Sequence, residues 1–377
     1  MTNTRQLIDY SNQKILNLCV ENKTLISETG TAEKLKTTHK EFSSVNEAQE
    51  NLFKKEWQFL KKGYVLSNSE VQFGEALLHL HVSKVYTGAQ AFVATENGIF
   101  IYKDEKDSRT EQELQGAVLQ IDHKGRILNE ISLPKALVWK MYYEAATQEI
   151  LFNLDHEIFA YSLRYATFKQ LSQNQDQPFS FLSVASNHIA FADAKNFYIC
   201  DTQHNVLQQD QHALNIVNGN MVCCGQLSAD GRLLALHDEV SKIKIIAAQS
   251  GKCLENLTLD FEMLNDMQFI QNNQSILFWE KYGTWSLRKI NLTTKKEAFF
   301  EASLAPYINQ INGFCLNQNQ SRLAILQRHE IHIIDLIEEK LIGSFRVQHL
   351  VRSAHLQFIG ELVAVRTDYG CFSLYQI

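Results

Sequence analysis

The chain lacks most of the features that mark a membrane protein or a common enzyme. No apolar run in its 377 residues approaches the length of about 18 that a membrane-spanning helix requires. The first six residues contain no basic stretch followed by an apolar core, so no secretory signal is expected. Glycine-rich phosphate loops, nucleophile elbows and paired zinc motifs are also missing. We therefore expect a cytoplasmic protein with no membrane association, no catalytic residues, no metal and no cofactor.

Cysteine is sparse, and acidic residues outnumber basic ones. The seven cysteines form an odd set without disulfide-like spacing, which indicates reduced and mostly buried thiols. Residues 1–66 carry ten basic and eight acidic residues, a formal charge of +2, and residues 67–377 carry −8. An acidic body of this kind is a poor general ligand for nucleic-acid phosphates.

One pattern recurs from residue 90 onward: an apolar run, a short polar turn and a second, alternating apolar run. It occurs at residues 91–102, 151–163, 189–200, 234–246, 276–287, 323–334 and 362–375. After a first interval of 60 residues the starts lie 38 to 47 residues apart, close to the roughly 40–45 of a four-stranded propeller blade. We attribute the long first interval to a charged insert, residues 103–115. The sequence therefore predicts a mainly β protein with a seven-bladed β-propeller over residues 65–377.

The fourth repeat resembles a WD-repeat blade. Asp230-Gly231 would form the turn between its first two strands, and Gly251-Lys252 the turn into its last strand. Neither a Gly-His pair before the blades nor a Trp-Asp pair at their ends is present. The resemblance therefore implies the propeller architecture without the polar network of true WD repeats.

The last repeat ends directly after a third strand, which leaves the outer position of the last blade to be filled. An apolar run at residues 76–82 fits the inner strand of the first blade. We therefore expect residues 65–73 to close the ring as the outer strand of the last blade.

Residues 1–64 differ in texture from the repeats, because they are rich in lysine and combine short strands with one amphipathic helix. Ser44 with Glu47 three residues later forms a capping box, and the helix should stop at Gly63. The pattern predicts a small N-terminal α+β domain.

This domain resembles the WGR domain of poly(ADP-ribose) polymerases and many bacterial proteins, through residues 40–48, Phe53, residues 60–64 and Gly30-Thr31. In the polymerases the domain contacts damaged DNA. The residues that stand here in place of Trp-Gly-Arg are Ile26, Ser27 and Glu28. Because glutamate repels phosphate, the resemblance implies the fold and not the DNA site.

The loops inside the hairpins and between the blades should gather on one face of the disc. They offer a mixed-charge ring with aromatic residues: Trp139, Asp155, Glu157, Asp193, Asp238, Glu239, Tyr282, Arg328, Arg366 and Asp368. Such a ring suits a protein partner better than a polyanion, although an ordinary solvated surface would have a similar composition. The His79/His81 and His329/His332 pairs have no third ligand tied to them by spacing, so we interpret them as structural.

Three functions follow as hypotheses. The first is a non-enzymatic protein-interaction scaffold from a bacterium, one version being an immunity or antitoxin protein that neutralises a toxin. The second is nucleic-acid binding through a basic face of the WGR-like domain, whose lysines are Lys34, Lys36, Lys40, Lys54, Lys55, Lys61 and Lys62. The third is a hydrolase or lyase whose site combines loop carboxylates from several blades.

Overall fold

Antiparallel β-sheet dominates the chain in the computed structural model. The structure describes residues 4–68, 71–83, 88–104, 116–135, 137–171, 179–213, 224–280, 283 and 285–377. Its helices are α1 (Val45–Leu60), α2 (Ala305–Ile308) and a single 3-10 turn (Ala302–Leu304). Over this part of the chain no helix is long and apolar enough to cross a membrane.

The first six strands lie around α1. They are β1 (Arg5–Asp9), β2 (Lys14–Glu21), β3 (Thr24–Thr31), β4 (Lys34–Glu41), β5 (Val65–Ser67) and β6 (Ala76–His81). Strands β1 to β4 form an antiparallel meander, and α1 packs against β1, β2 and β3. Leu52, Trp57 and Leu60 of the helix are buried with Leu7 and Leu16 of the sheet, because one side of each element is apolar.

Six four-stranded antiparallel sheets follow and form blades of a β-propeller. Each runs as a meander from an inner first strand to an outer fourth strand. Sheet one comprises β7 (Phe92–Thr95), β8 (Gly98–Asp104), β9 (Gly116–Ile121) and β10 (Ile127–Ser132); sheet two, β11 (Val138–Glu144), β12 (Glu149–Leu154), β13 (Glu157–Ser162) and β14 (Thr167–Gln170); sheet three, β15 (Ser180–Ala185), β16 (His188–Ala192), β17 (Asn196–Asp201) and β18 (Val206–Gln211). Sheet four comprises β19 (Gly225–Leu227), β20 (Leu233–Glu239), β21 (Lys242–Ala247) and β22 (Cys253–Thr258); sheet five, β23 (Leu264–Ile270), β24 (Ser275–Glu280), β25 (Leu287–Asn291) and β26 (Lys296–Ala298); sheet six, β27 (Gly313–Leu316), β28 (Arg322–Gln327), β29 (Glu330–Asp335) and β30 (Lys340–Arg346).

The last three strands join the N-terminal strands in one nine-stranded sheet. They are β31 (Ala354–Ile359), β32 (Leu362–Thr367) and β33 (Cys371–Gln376), and the order is β31-β32-β33-β6-β5-β1-β2-β3-β4. The N-terminal segment and the propeller are therefore continuous through backbone hydrogen bonds, and the position between residues 64 and 65 falls just before β5, inside this sheet.

The prediction that residues 65–73 close the ring is wrong, because the strand that pairs with β33 is the next one along the chain, β6. Residues 65–67 form β5, which pairs with β1 and β6, whereas β6 is the partner of β33, with Leu78 opposite Leu374. The physical reason is apolar content: β5 is only three residues long, while β6 carries Leu78 and Leu80 into a core shared with Phe372 and Leu374. Strand β6 is accordingly not the inner strand of the first blade.

The first predicted hairpin begins one strand earlier in its sheet than the others do, and this contributes to the long first interval between repeats. Six predicted hairpins are confirmed as the second and third strands of their meanders, for example β12 with β13 and β32 with β33. The first, residues 91–102, instead forms the first and second strands, β7 and β8. The charged insert therefore falls between the second and third strands of sheet one, and its residues 105–115 lie outside the described part of the chain.

The start of α1 agrees with the predicted cap in one half only. The Ser44 hydroxyl accepts the Glu47 backbone N–H at 3.1 Å, as expected for an N-cap. The Glu47 carboxylate, however, accepts the backbone N–H of Ser43 at 3.0 Å, one residue before the predicted partner. The helix ends at Leu60, three residues before Gly63.

Candidate functional site

The loops between second and third strands and the loops between successive sheets share one side of the molecule, which we call the loop face. Backbone hydrogen bonds join the two kinds of loop. The Phe179 N–H donates to the His156 carbonyl at 2.7 Å, and the Val347 N–H donates to the His329 carbonyl at 2.7 Å. These bonds give the loop face a fixed framework.

Asp193 serves its own turn rather than an outside ligand. It is buried, and its carboxylate accepts the backbone N–H groups of Lys195 and Asn196 at 2.7 and 2.6 Å and the Tyr198 hydroxyl at 2.7 Å. Burial acts to raise the pKa of Asp193, but these hydrogen bonds outweigh it and hold the pKa below its ordinary value. The residue is therefore a structural anion.

Asp368 has a similar role on a larger scale. Its two carboxylate oxygens accept the backbone N–H groups of Val351, Arg352 and Ser353 at 3.0, 2.8 and 3.2 Å. The Asp368 N–H donates back to the Ser353 carbonyl at 3.0 Å. One side chain thus determines the conformation of the loop that connects sheet six to the nine-stranded sheet.

Most other predicted carboxylates on the loop face are paired with nearby lysines. Asp238 lies 3.2 Å from Lys244, Glu239 forms an ion pair with Lys242, and Glu157 lies 3.5 Å from Lys135. Asp155 has a positive φ of 50°, and its backbone N–H donates to the Leu137 carbonyl at 2.7 Å. Three of these carboxylates are thus paired with lysines.

Two further predicted residues frame the loop face. Trp139, the second residue of β11, is half-buried and packs so closely on Gly88 that an added Cβ there would lie 3.2 Å from its ring. Arg328 is exposed and, with its neighbours, lines a cavity of about 470 Å³; the lining residues are Gln327, Arg328, His329, Glu330 and Arg346. Tyr282 lies outside the described residues.

Arg366 was predicted at the surface, and the structure contradicts this. Its side chain is fully buried, and Nη2 donates to the Ser83 carbonyl at 2.8 Å. Burial lowers the pKa of Arg366 to about 10, with Cys371 and Tyr102 opposing the shift. Nε and Nη1 have no hydrogen-bond partner among the described residues. Strand β32 is buried on both faces, so a residue within it has no exposed side available.

The first strands of the sheets line the propeller axis and bring together polar residues that sequence reasoning missed. Strand β7 contacts β11, β11 contacts β15, β15 contacts β19, and β27 contacts β31. Lys140 on β11 is exposed, and its Nζ donates to the Phe181 carbonyl at 3.0 Å. The neighbouring Tyr142 hydroxyl donates to the Leu182 carbonyl at 3.1 Å.

Lys140 also acts electrostatically on two residues of more distant sheets. Burial raises the pKa of Asp266, and the Lys140 ammonium opposes that rise. Burial lowers the pKa of His355 to about 4, and Lys140 adds to this effect. His355 is nevertheless an exposed residue of β31. The lone lysine of β11 and the lone aspartate of β23 were the sequence signals for this grouping.

A buried polar cluster, the seam network, connects α1 to the rest of the molecule. It comprises Arg5, Glu56, His79, Gln348 and His349. Glu56 is fully buried, and its carboxylate accepts hydrogen bonds from Arg5 Nε at 2.5 Å and His349 Nε2 at 3.0 Å. Burial would raise the pKa of Glu56, but Arg5 and His349 hold it far below its ordinary value.

His79 completes the seam network in its neutral form. Its Nε2 donates to Gln348 Oε1 at 2.9 Å, and its Nδ1 accepts from the Ser373 hydroxyl at 2.6 Å. Burial lowers the pKa of His79 to about 3, against the opposing charge of Glu56. Trp57 stacks on His349 with ring centroids 4.7 Å apart. The network therefore links α1, β6, β33 and the loop after sheet six.

The two members of the His329/His332 pair have different surroundings. His332 is buried and bonded to the Ser344 hydroxyl at 2.7 Å, whereas His329 lines the cavity on the loop face. Within the described ranges, no group of three or more histidine, cysteine, aspartate or glutamate side chains could hold a metal ion.

No family model matches this chain, and no curated protein is similar to it.

Proposed function

We propose that the protein is a non-enzymatic interaction scaffold that receives a protein partner on its loop face. The carrying observation is the Asp368 carboxylate, whose three backbone hydrogen bonds hold the loop of residues 347–353 in one conformation. A loop ordered before binding loses little conformational entropy when a partner docks.

The exposed chemistry of the same face supports this proposal. The cavity on the loop face is lined by residues of both charges, so its surface is mixed in sign: Arg328, His329, Glu330 and Arg346. Val351, on the ordered loop, keeps 52% of its surface exposed. Arginine with apolar neighbours is typical of protein interfaces, whereas a polyanion site would exclude the glutamate.

A specific form of this proposal is a bacterial immunity protein whose partner is a toxin. Its test is co-expression with the reading frames that flank the native gene: one that stops growth when expressed alone should lose that effect when this protein is present. If growth is not restored, the immunity form is wrong, while the scaffold proposal is tested separately as follows.

The test of the scaffold proposal compares two faces of the molecule. The chain and its Arg328→Glu/Arg346→Glu variant are used to capture partners from the native host, followed by mass spectrometry. Arg164→Glu is the matched control, because Arg164 is exposed in a turn between third and fourth strands, away from the loop face. We expect one specific partner to be lost in the double variant and kept by Arg164→Glu. Equal capture by all three proteins would contradict the proposal.

We also infer that the propeller has seven blades, the seventh formed by β31, β32, β33 and β6. In support, Gln90 Nε2 donates to Ser353 Oγ at 2.8 Å, and Phe92 of sheet one lies 5.1 Å from the rings of both His355 and Phe372. On its other side the proposed seventh blade shares a core with sheet six, through Cys315 and other residues. Because the long Gln90 side chain spans the gap to Ser353, a Gln90→Cys/Ser353→Cys variant should be joined by a short bifunctional thiol reagent rather than by a direct disulfide, and absence of this cross-link would contradict the closed ring.

A further inference from the structure

Strand β4 forms the outer edge of the nine-stranded sheet. All eight of its residues are exposed, and it pairs along its length with β3. No strand pairs with its other side in the part of the chain that the structure describes. The edge therefore presents unpaired backbone groups over eight residues, enough to accept a further strand.

The lysines of β4 share one side of the sheet. The Thr38 hydroxyl lies 2.9 Å from Ser27 Oγ, which accepts a hydrogen bond from Lys55 of α1 at 2.6 Å. Thr38 therefore faces the helix side. Because side chains alternate along a strand, Lys34, Lys36 and Lys40 lie on that side too.

Little negative charge offsets these lysines on the helix side. Burial lowers the pKa of Lys55, and the neighbouring Lys40 ammonium lowers it further, because the two like charges lie close together and repel. Glu28 is on the opposite side, where it accepts from the Asn17 amide at 3.0 Å. The Glu47 carboxylate at the start of α1 is bonded to Ser43, and the Lys40 ammonium lowers its pKa, so this one carboxylate partly offsets the row.

Protection against aggregation is one use of lysine on an edge strand, and it explains why two copies of this chain would not pair here. Pairing of two β4 edges would bring like charges together, which is destabilising. Protection alone does not require all the charges to lie on one side, nor a helix lysine beside them. The arrangement instead complements a strand with carboxylates at alternate positions.

We propose that β4 accepts an extended, acidic segment of a partner protein, which adds to the nine-stranded sheet as a tenth strand. The backbone of the segment pairs with the free edge of β4. Its aspartate or glutamate side chains, two residues apart, lie beside Lys34, Lys36 and Lys40. This surface is separate from the loop face, so the two sites can be tested independently.

The test measures fluorescence anisotropy of labelled probes with the full chain at low ionic strength. The main probe is a ten-residue peptide that alternates glutamate and threonine. A second peptide has the same side chains but is N-methylated at alternate backbone positions, which removes donors needed for strand pairing. The third probe is single-stranded oligo-dT of similar length.

Two triple variants carry the same change in charge. Lys34→Glu/Lys36→Glu/Lys40→Glu removes the row on β4, and Lys54→Glu/Lys61→Glu/Lys62→Glu changes three exposed lysines of the α1 region. We expect the β4 variant to bind the acidic peptide at least about tenfold more weakly than the control variant does. Circular dichroism establishes that both variants fold.

The N-methylated peptide tests the proposal on the unmodified protein, so the result does not depend on any variant. It should bind at least about tenfold more weakly than the parent peptide. Equal binding of the two peptides, equal loss in both triple variants, absence of peptide binding, or preferential binding of oligo-dT would each overturn the proposal.

Discussion

Carboxylates accept hydrogen bonds both in the seam network and on the loop face, but the donors lie at very different distances along the chain. Glu56 is bonded to Arg5 and His349, which lie 51 and 293 residues away, and all three side chains are almost excluded from solvent. Asp193 and Asp368 accept backbone N–H groups from residues 2 to 17 positions away. The first arrangement holds distant segments together, and the second shapes single loops. We therefore expect the seam to determine global stability and the loop carboxylates to determine local order.

The largest effect should follow from Glu56→Ala. The substitution leaves the largely buried Arg5 guanidinium without its counter-ion, and breaking one partner of a buried pair costs about 3–5 kcal/mol. Chemical denaturation measures this loss. Glu50→Ala is the control, because Glu50 is exposed and lies 3.9 Å from Lys54 on the same helix. Similar stability of the two variants would contradict the distinction between seam and surface.

The seam should also make stability depend on pH from about 6.5 downward. The pKa of His79 is lowered to about 3, so the unfolded chain binds a proton below pH about 6.5 while the folded chain does not. Stability is therefore complete above pH 6.5 and decreases as the pH falls toward 3. The loss from this group amounts to about 2 kcal/mol between pH 6.5 and pH 5.

His79→Gln tests this assignment, because glutamine does not titrate. The fall in the free energy of unfolding between pH 7 and pH 5 should be smaller in the variant than in the parent chain. His237, which is buried and whose pKa is lowered to about 4, contributes a slope of the same sign in both proteins. An unchanged slope would mean that His79 is not buried in the neutral form.

A smaller and more local effect is expected for Asp368→Ala. Three backbone N–H groups lose their acceptor, but the loop is partly open to water, so the cost should be about 1–2 kcal/mol. Hydrogen exchange at Val351 and Arg352 should accelerate much more than exchange in β28 and β29. Acceleration spread evenly over sheet six would show that Asp368 supports the whole blade.

The smallest effect should come from Glu239→Gln. Glu239 pairs with Lys242, three residues away, and both side chains are more than a third exposed. Pairs of this kind contribute about 0–1 kcal/mol. A fall in melting temperature as large as the one caused by Asp368→Ala would contradict the expectation that Glu239 contributes less to stability than Asp368 does.

The repeat pattern predicted most of the fold because strand alternation is a local property. It failed at β6, where the choice lies between two sheets that both offer an apolar neighbour. Leu78 and Leu80 would fit the start of sheet one or the edge of β33, and only the register of residues nearly 300 positions later decides. A local pattern contains no information about that pairing. The resemblance of residues 1–64 to the WGR domain stays a prediction.

Site prediction had a different limit. Loop positions were correct for Asp193 and Asp368, but residue type alone could not tell a ligand from a turn acceptor. The spacing Asp193–Asn196 is a usable signal, because an aspartate often accepts the N–H groups two and three residues later. Arg366 was predicted in a loop, but it belongs to β32, where the last five residues are all buried. Lys140 was missed because only loop residues were considered for the site, and Lys140 lies within β11.

The pairing of β6 with β33 has a consequence during synthesis on the ribosome. His79 and Ser373, which are hydrogen-bonded, are 294 residues apart. At a translation rate of about 5–20 residues per second, β6 waits about 15–60 s for its partner strand. During that time Leu78 and Leu80 remain without their final cover, on the edge of an incomplete sheet. A nascent chain with this delay is a natural client for chaperones that shield apolar edges, and slow translation should increase its need for them.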